Sequence, residues 1–165
     1  MNNTKKTIII TGGAGRIGLA LAKDLLRHNY NVLLGDISRS KLLKIKKKLS
    51  SKNLEIFSGD LTVKNNIEKF INYGKKKFKK IDGAVHCSYP RSKKWGATIE
   101  KLDEVSLKKD LYNQLGGTII FCQAIIKYFK KVKKGNLILL SSIQGFNTPQ
   151  FEHYKNLNMT SPIEY

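Results

Sequence analysis

The chain has 165 residues, and its 31 Lys and Arg residues against 12 Asp and Glu residues give a formal net charge of +19. A hydrophobic content of 41% is too high for an intrinsically disordered chain, and the length suits one ordinary domain with its own core. The positive charge would suit a nucleic-acid partner, but the lysines occur in short clusters scattered along the chain, not in one stripe. We therefore expect solvated helix faces and no nucleic-acid partner.

The N-terminal part of the chain predicts a strand, a helix and a second strand. The β-branched run Thr7–Thr11 is followed by glycines, which is typical of a buried parallel strand. Apolar residues at helical spacing predict a helix over residues 16–28, and residues 31–36 form the next apolar strand. Together they make one complete βαβ unit.

The next part repeats this alternation. A second helix has Ser38 or Ser40 as its predicted N-cap and an apolar face formed by Leu42, Ile45 and Leu49. Residues 54–57 form a third strand, and Thr62 is the predicted cap of a third helix. The residues of that helix predicted to face inward are Val63, Ile67, Phe70 and Ile71.

The alternation then continues to the end of the chain. Residues 83–87 predict a fourth strand, residues 107–130 one long helix and residues 136–140 a fifth strand. The long helix carries one apolar stripe, formed by Leu111, Leu115, Thr118, Cys122, Ile125 and Phe129. Strands alternating with helices, without repeats or linkers, predict an α/β fold with a doubly wound parallel sheet in three layers, α/β/α.

A glycine-rich turn joins the first strand to the first helix. Its glycines are Gly12, Gly15 and Gly18, and Arg16 and Ile17 complete the turn. Such a turn lets the backbone approach a pyrophosphate closely, and the free N–H groups at the start of the helix favour the negative charge. The sequence therefore predicts a dinucleotide-binding site here.

A carboxylate at the end of the second strand narrows the choice between NAD(H) and NADP(H). Asp36 lies 18 residues after Gly18, where it can accept hydrogen bonds from both hydroxyls of an adenosine ribose. The same charge would repel a 2′-phosphate, so NAD(H) is favoured over NADP(H), although Arg16 or Arg39 would offset that repulsion. Asp60, after the third strand, fits either a contact with the adenine edge or a capping role with Thr62.

Three segments resemble the short-chain dehydrogenase/reductase family: Thr11 to Gly18, Gly59-Asp60-Leu61, and Leu139 to Ser142 with Gly145. The resemblance covers essentially the whole chain and implies a single NAD(P)-binding Rossmann domain over residues 1–165, with Leu61 among its cofactor-binding residues. Tyr89-Pro90-Arg91 and residues 159–165 are similar to a branch associated with surface-polysaccharide, nonulosonic-acid and flagellin-glycan biosynthesis.

The resemblance implies catalytic residues as well. A serine orients the substrate oxygen and a tyrosine acts as the base, which requires a nearby lysine because an isolated phenol has a pKa near ~10. By the family pattern the serine is Ser142, with Ser141 as the alternative. The base is Tyr165 rather than Tyr154, because the residues before Tyr165 match the lead-in to the catalytic helix. A family asparagine on the long helix corresponds to Asn113 or, by counting from neighbouring positions, to Gln114.

Two segments depart from the family pattern. Where the family has Asn-Asn-Ala-Gly after the fourth strand, this chain has His86-Cys87-Ser88-Tyr89, and the histidine is expected either to touch the cofactor or to be structural. In the loop that follows, Arg91 and Trp95 are candidates for substrate contact or exposed loop residues.

The chain ends at Tyr165, before the lysine of the family motif. It is similar to the N-terminal two-thirds of a family domain, so the resemblance implies a sheet incomplete at its C-terminus and leaves hydride transfer by these residues alone in doubt. The expected reaction acts on an alcohol or ketone, for example of a sugar or sugar nucleotide. The alternatives are a nucleotide-sugar epimerase or dehydratase of the extended type, because the glycine spacing suits both, and a truncated, non-catalytic NAD-binding module.

Location and assembly follow from the remaining features. Glycines interrupt the apolar N-terminal stretch, so we expect neither a signal peptide nor a membrane span. Cys87 and Cys122 form no CxxC pair, which favours the cytoplasm and no structural metal site. The family implies a small-molecule substrate and a homo-oligomer built through the long helix.

Overall fold

The structure is a computed structural model that describes residues 5–162. Its strands are β1 (Thr7–Thr11), β2 (Asn31–Asp36), β3 (Leu54–Ser58), β4 (Gly83–His86) and β5 (Asn136–Leu139). All five are parallel and form one sheet in the order β3-β2-β1-β4-β5. The predicted doubly wound parallel sheet is therefore confirmed.

The helices occupy both faces of this sheet. They are α1 (Arg16–Arg27), α2 (Arg39–Leu49), α3 (Lys64–Phe78), α4 (Glu104–Leu111) and α5 (Gly117–Val132). A π-helical segment, Tyr112–Gly116, joins α4 to α5. Short 3₁₀ turns occur at Ile99–Lys101, Ile143–Gly145 and Phe151–Tyr154.

Side-chain alternation along the strands divides the core into two clusters. Ile9 and Leu33 point to the face covered by α3 and α5, where they pack with Phe70. Their neighbours Ile10 and Leu34 point to the opposite face, covered by α1 and α2. These side chains are fully buried, so the central strands β1 and β2 are covered on both faces.

The order in which the strands are added to the sheet reverses between β1 and β4. The chain moves from β1 through β2 to β3 on one side and then crosses back to lay β4 and β5 on the other. Ligands of open parallel sheets bind at such a point, beyond the carboxyl ends of the strands, because the following loops diverge there. The fold therefore places a crevice between the segments that follow β1 and β4.

The start of α3 differs from the prediction. Helix α3 begins at Lys64 with Val63 at its N-cap position, so Thr62 is not the cap. The Thr62 hydroxyl instead donates a 2.7 Å hydrogen bond to the carboxylate of Asp60. Val63 is 46% exposed and does not face the core, because it precedes the first helical turn.

Residues 107–130 are helical throughout, as predicted, but the helix is not a single regular α-helix. The π-helical segment inserts an extra residue per turn, which rotates the following side chains by roughly 100° relative to a continuous α-helix. Leu111, before this segment, and Leu115, within it, are 44% and 64% exposed, so they do not share one face with the buried residues of α5. Phe121 and Ile125 are fully buried and carry the contact of α5 with the sheet.

Strand β5 lies at the edge of the sheet. Its Ile138 and Leu139 are 50% and 46% exposed, in contrast to the buried side chains of β1 and β2. Within residues 5–162, no helix combines the length and the apolar character that crossing a bilayer would require.

Candidate active site

A cleft of about 1370 Å³ opens at the point where the strand order reverses. Every predicted site residue within residues 5–162 lines it: Gly12, Gly15, Arg16, Ile17, Gly18, Asp36, Asp60, Leu61, Asn113 and Ser142. Predicted cofactor-binding residues and a predicted catalytic serine, at least 81 residues apart in sequence, therefore share one cavity.

The glycine turn at one end of the cleft has little room for side chains. Gly12 has φ +61°, and a Cβ there would lie 2.6 Å from the carbonyl oxygen of Cys87. A Cβ on Gly18 would lie 2.5 Å from the Gly12 carbonyl oxygen. Gly15 precedes α1 without a side-chain cap, so the N–H groups of the first helical turn remain available to an anion.

The carboxylate of Asp36 is tied to this turn. One oxygen accepts a 3.0 Å hydrogen bond from the Ala14 N–H, and the other accepts a 2.9 Å bond from the Ser38 N–H. Asp36 thus joins the glycine turn to the start of α2, a structural role that the sequence does not reveal. Each carboxylate oxygen has further lone pairs, so hydrogen bonds from ribose hydroxyls remain possible.

Asp60 and Leu61 line the same end of the cleft. The Oδ1 atom of Asp60 accepts hydrogen bonds from the Thr62 N–H and from the Thr62 hydroxyl. Because both bonds use Oδ1, a contact with adenine would have to use Oδ2. Leu61 is only 5% exposed and belongs to the core cluster beneath the cleft.

His86 forms the buried floor of the cleft and is the least expected feature of the site. Its Nδ1 lies 2.8 Å from the Thr11 hydroxyl oxygen, and its Nε2 lies 3.1 Å from the Thr118 hydroxyl oxygen. The imidazole also stacks on Phe121, with ring centroids 5.0 Å apart. The histidine is 7% exposed.

The neighbouring donors indicate which nitrogen carries the proton. The Thr11 hydroxyl oxygen accepts from the N–H groups of Cys87 and Ser88, so its hydrogen is free to donate to Nδ1 of His86. The Thr118 hydroxyl donates to the Gln114 carbonyl at 2.6 Å and so accepts from Nε2–H. These bonds suit a neutral imidazole.

Burial also favours the uncharged forms of His86 and of the neighbouring Cys87. Desolvation lowers the pKa of His86 to about 4, so the imidazole is neutral at physiological pH. Burial also raises the pKa of the Cys87 thiol to about 11, so that thiol is protonated there. Of the two predicted roles of His86, the hydrogen bonds and the burial favour the structural one.

The π-helical segment presents the two candidates for the family asparagine. Asn113 and Gln114 both line the cleft. The Gln114 side-chain amide donates a 3.0 Å hydrogen bond to the Pro90 carbonyl, so this residue holds the loop after β4. π-Helical turns occur frequently at functional sites.

Ser142 lies at the end of the cleft opposite Asp60, beyond β5. Its hydroxyl oxygen accepts a 3.2 Å hydrogen bond from the Gln144 N–H, and Ser141 also lines the cleft. Tyr154 is not among the residues that line this cleft; it contributes to a second cavity of about 680 Å³ that includes Trp95. Tyr165 lies outside the described residues.

The switch-point cleft and the glycine turn together define an α/β protein built to bind a dinucleotide. The sequence matches the profile of the short chain dehydrogenase family over residues 6–155, and the chain belongs to that family. The family consists of oxidoreductases that use nicotinamide dinucleotides.

Individual relatives agree with this assignment. The chain is 38% identical to the post-translational flagellin modification protein A of Campylobacter coli, with 97% of this chain aligned. ElxO, in a solved structure with NADP bound, is 26% identical, matches 88% of this chain and has a TM-score of 0.77. A Leptospira borgpetersenii short chain dehydrogenase with bound NAD+ is 21% identical, covers 90% of this chain and has a TM-score of 0.77, which shows the shared fold.

The chain is shorter than these proteins. It spans 64% of the Campylobacter coli relative, 58% of ElxO and 56% of the Leptospira borgpetersenii enzyme.

Proposed function

We propose that this chain forms the cofactor-binding part of an oxidoreductase that transfers a hydride between NAD(H) and an alcohol or ketone. The observation that carries the proposal is the shared cleft, in which the glycine turn and Asp36 lie at one end and Ser142 at the other. The nicotinamide supplies the hydride donor or acceptor when the cofactor is bound.

The residues of this chain fit a dinucleotide. The pyrophosphate would lie against the first turn of α1, where Gly15 and Arg16 are exposed and the N–H groups are available. Asp36 would accept hydrogen bonds from the adenosine ribose, and Asp60 and Leu61 would border the adenine. Ile17 and Gly18, which line the same wall, would complete the contact surface.

The carboxylate of Asp36 supports NAD rather than NADP. It lies where the second strand meets the cleft, and a 2′-phosphate next to it would place two negative charges side by side. Arg16 and Arg39 are both exposed and provide the positive charge that would reduce this preference.

Ser142, Tyr165 and Asn113 are the proposed catalytic residues. Ser142 would orient the substrate oxygen, and the Tyr165 hydroxyl would take or give the proton at that oxygen. The position of Tyr154 in a different cavity supports the choice of Tyr165. The use of the Gln114 side chain in a loop contact supports Asn113 as the family asparagine.

A sugar or sugar nucleotide is the proposed substrate class. Two features support this class. One relative is named for flagellin modification, and the motif Tyr89-Pro90-Arg91 resembles the glycan-associated branch of the family. The unpaired Cys87 and Cys122 suit a cytoplasmic enzyme.

We also propose a homo-oligomer that forms through the outer surface of α4, the π-helical segment and α5. Three large apolar side chains of these segments that do not line the cleft are exposed: Tyr112, Ile119 and Ile126. Exposed apolar side chains that form one patch commonly mark a protein interface.

The test compares cofactor affinities of Asp36→Asn with those of the unaltered chain by calorimetry. Loss of the charge should weaken NADH binding by about tenfold, since hydrogen bonds to charged groups contribute roughly 1.5–3 kcal/mol. NADPH binding should change less, because the repulsion of the 2′-phosphate is relieved. The ratio of the two affinities is the readout, since damage to the turn that Asp36 supports would weaken both cofactors alike.

Asp24→Asn is the matched control, because Asp24 is an exposed carboxylate on α1 outside the cleft. It should leave both affinities unchanged. Absence of NADH binding in the unaltered chain, or an unchanged affinity ratio in Asp36→Asn, would refute the proposed cofactor site.

A further inference from the structure

The lining of the cleft differs in charge from one part to another. The cofactor end contains the carboxylates Asp36 and Asp60 and one cation, Arg16. The other charged residues lining the cleft are Arg91, from the loop after β4, and Lys109, from α4. The lining that these two segments provide is therefore positive.

The loop that carries Arg91 is held in place on both sides of that residue. On one side, the Gln114 amide donates to the Pro90 carbonyl at 3.0 Å. On the other, the N–H and hydroxyl of Ser92 donate to the two carboxylate oxygens of Asp110 at 2.6 and 2.7 Å. Asp110 is 2% exposed, so this contact is a buried, charge-assisted anchor.

The same anchor joins the two segments that carry the cations. Arg91 precedes Ser92 in the loop after β4, Lys109 precedes Asp110 in α4, and both cations line the cleft. Two like charges that line one cleft repel each other, and an anion bound between them would relieve that repulsion.

Aromatic contacts restrict the Arg91 side chain. Its guanidinium carbon lies 4.1 Å from the centre of the Trp95 ring and 5.7 Å from the centre of the Tyr89 ring. The Trp95 indole N–H donates to the Tyr89 hydroxyl at 3.2 Å, which holds the two rings together. A stacked guanidinium keeps its N–H groups at the edge free to donate, and among the described ion pairs neither Arg91 nor Lys109 has a carboxylate partner.

We propose that Arg91 and Lys109 form an oxyanion subsite that binds a phosphate or carboxylate group of the substrate. The inference rests on the proposed function, since it names the chemistry of the substrate that enters the same cleft. A planar guanidinium presents paired N–H donors that match either oxyanion, and Lys109 adds a second positive charge. Asp110 and Ser92 are positioning residues for this subsite.

Trp95 is the only tryptophan of the chain and lies against the guanidinium, so its fluorescence reports on Arg91 directly. The experiment titrates the 165-residue chain with inorganic phosphate and, separately, with acetate, while sodium chloride keeps the ionic strength constant. A saturable change with phosphate, acetate or both supports the subsite and identifies which oxyanion it prefers. Absence of a saturable change with either anion overturns the proposal.

Two variants test whether the change in Trp95 fluorescence comes from an anion bound at Arg91 and Lys109. Arg91→Gln and Lys109→Gln should each weaken binding of the responding anion, Arg91→Gln by about tenfold or more because a charge-assisted contact is lost. Lys109→Gln leaves the Trp95 stack intact, so its effect cannot come from damage to the reporter. Lys76→Gln, an exposed lysine of α3 outside the cleft, is the matched control and should leave the affinity unchanged.

An anion bound at the glycine turn would be insensitive to both variants, and an unchanged affinity in both would overturn the proposal. NADH binding, measured by calorimetry on the same samples, separates this inference from the proposed function. NADH should bind equally to the unaltered chain and to Arg91→Gln. If the unaltered chain binds NADH but shows no anion response, the subsite alone is rejected. If the unaltered chain shows an anion response but does not bind NADH, the proposed cofactor site alone is rejected.

Discussion

Replacement of His86 by Asn should remove much of the acid sensitivity of this fold. The imidazole is 7% exposed, and burial lowers its pKa from 6.5 to about 4. The unfolded chain, whose histidine titrates near 6.5, therefore binds more protons than the folded chain between these two pH values. Folding stability consequently rises with pH through this window, and it is lost as the pH falls from about 6.5 to about 4.

The size of the effect follows from the same shift. One pKa unit corresponds to about 1.4 kcal/mol, so complete titration of this group would cost roughly 3 kcal/mol. Between pH 7.5 and pH 5 the expected loss is about 2 kcal/mol, because the unfolded histidine is then almost fully protonated while the folded one remains largely neutral. That is a substantial part of the stability of an ordinary domain.

Urea unfolding of the unaltered chain and of His86→Asn at pH 7.5 and pH 5 measures this loss. His86→Asn should be less stable at pH 7.5, because it loses the ring contact with Phe121, but it should lose about 2 kcal/mol less on acidification. His153→Asn is the control, since His153 is exposed, and it should follow the unaltered chain. Equal losses in His86→Asn and the unaltered chain would refute the argument.

Three further predictions concern the glycine turn, the core and the cysteines. Gly12→Ala should lower the melting temperature, because φ is +61° and the new Cβ would lie 2.6 Å from the Cys87 carbonyl oxygen; an unchanged melting temperature would contradict this geometry. Phe121→Ala should cost about 3–5 kcal/mol in urea unfolding, since the ring is fully buried and stacks on His86, and a loss below ~1 kcal/mol would show that it is not in the core. The Cys87 thiol, with its pKa raised to about 11, should react slowly with iodoacetamide at pH 7.5 in the folded chain and at the rate of an ordinary thiol in urea; equal rates would refute the assigned burial.

The alternation of elements was predictable from the sequence because each element carries its own local signal. A β-branched run predicted β1 and an apolar run predicted β2, both with their observed bounds. The apolar positions Ile67, Phe70 and Ile71 predicted the buried face of α3. The glycine turn was predictable for the same reason. The positive φ of Gly12 disfavours a side chain, and a Cβ on Gly18 would collide with the Gly12 carbonyl oxygen a few residues earlier.

Local signals failed where an element departs from regular geometry. The spacing from Leu111 to Phe129 suits a continuous α-helix, but the chain forms a π-helical segment over Tyr112–Gly116. Apolar periodicity does not record the inserted residue, so Leu111 and Leu115 were placed on one apolar stripe with Ile125, whereas Ile125 is buried and the two leucines are exposed.

The sequence by itself determined the doubly wound sheet, the glycine turn and the positions of Asp36 and Ser142 at strand ends, because hydrophobic periodicity and backbone sterics act over a few residues. Only the tertiary structure showed the hydrogen bonds of His86, whose partners Thr11 and Thr118 lie 75 and 32 residues away. Such contacts form when the sheet brings distant strand ends together, and no local pattern encodes them.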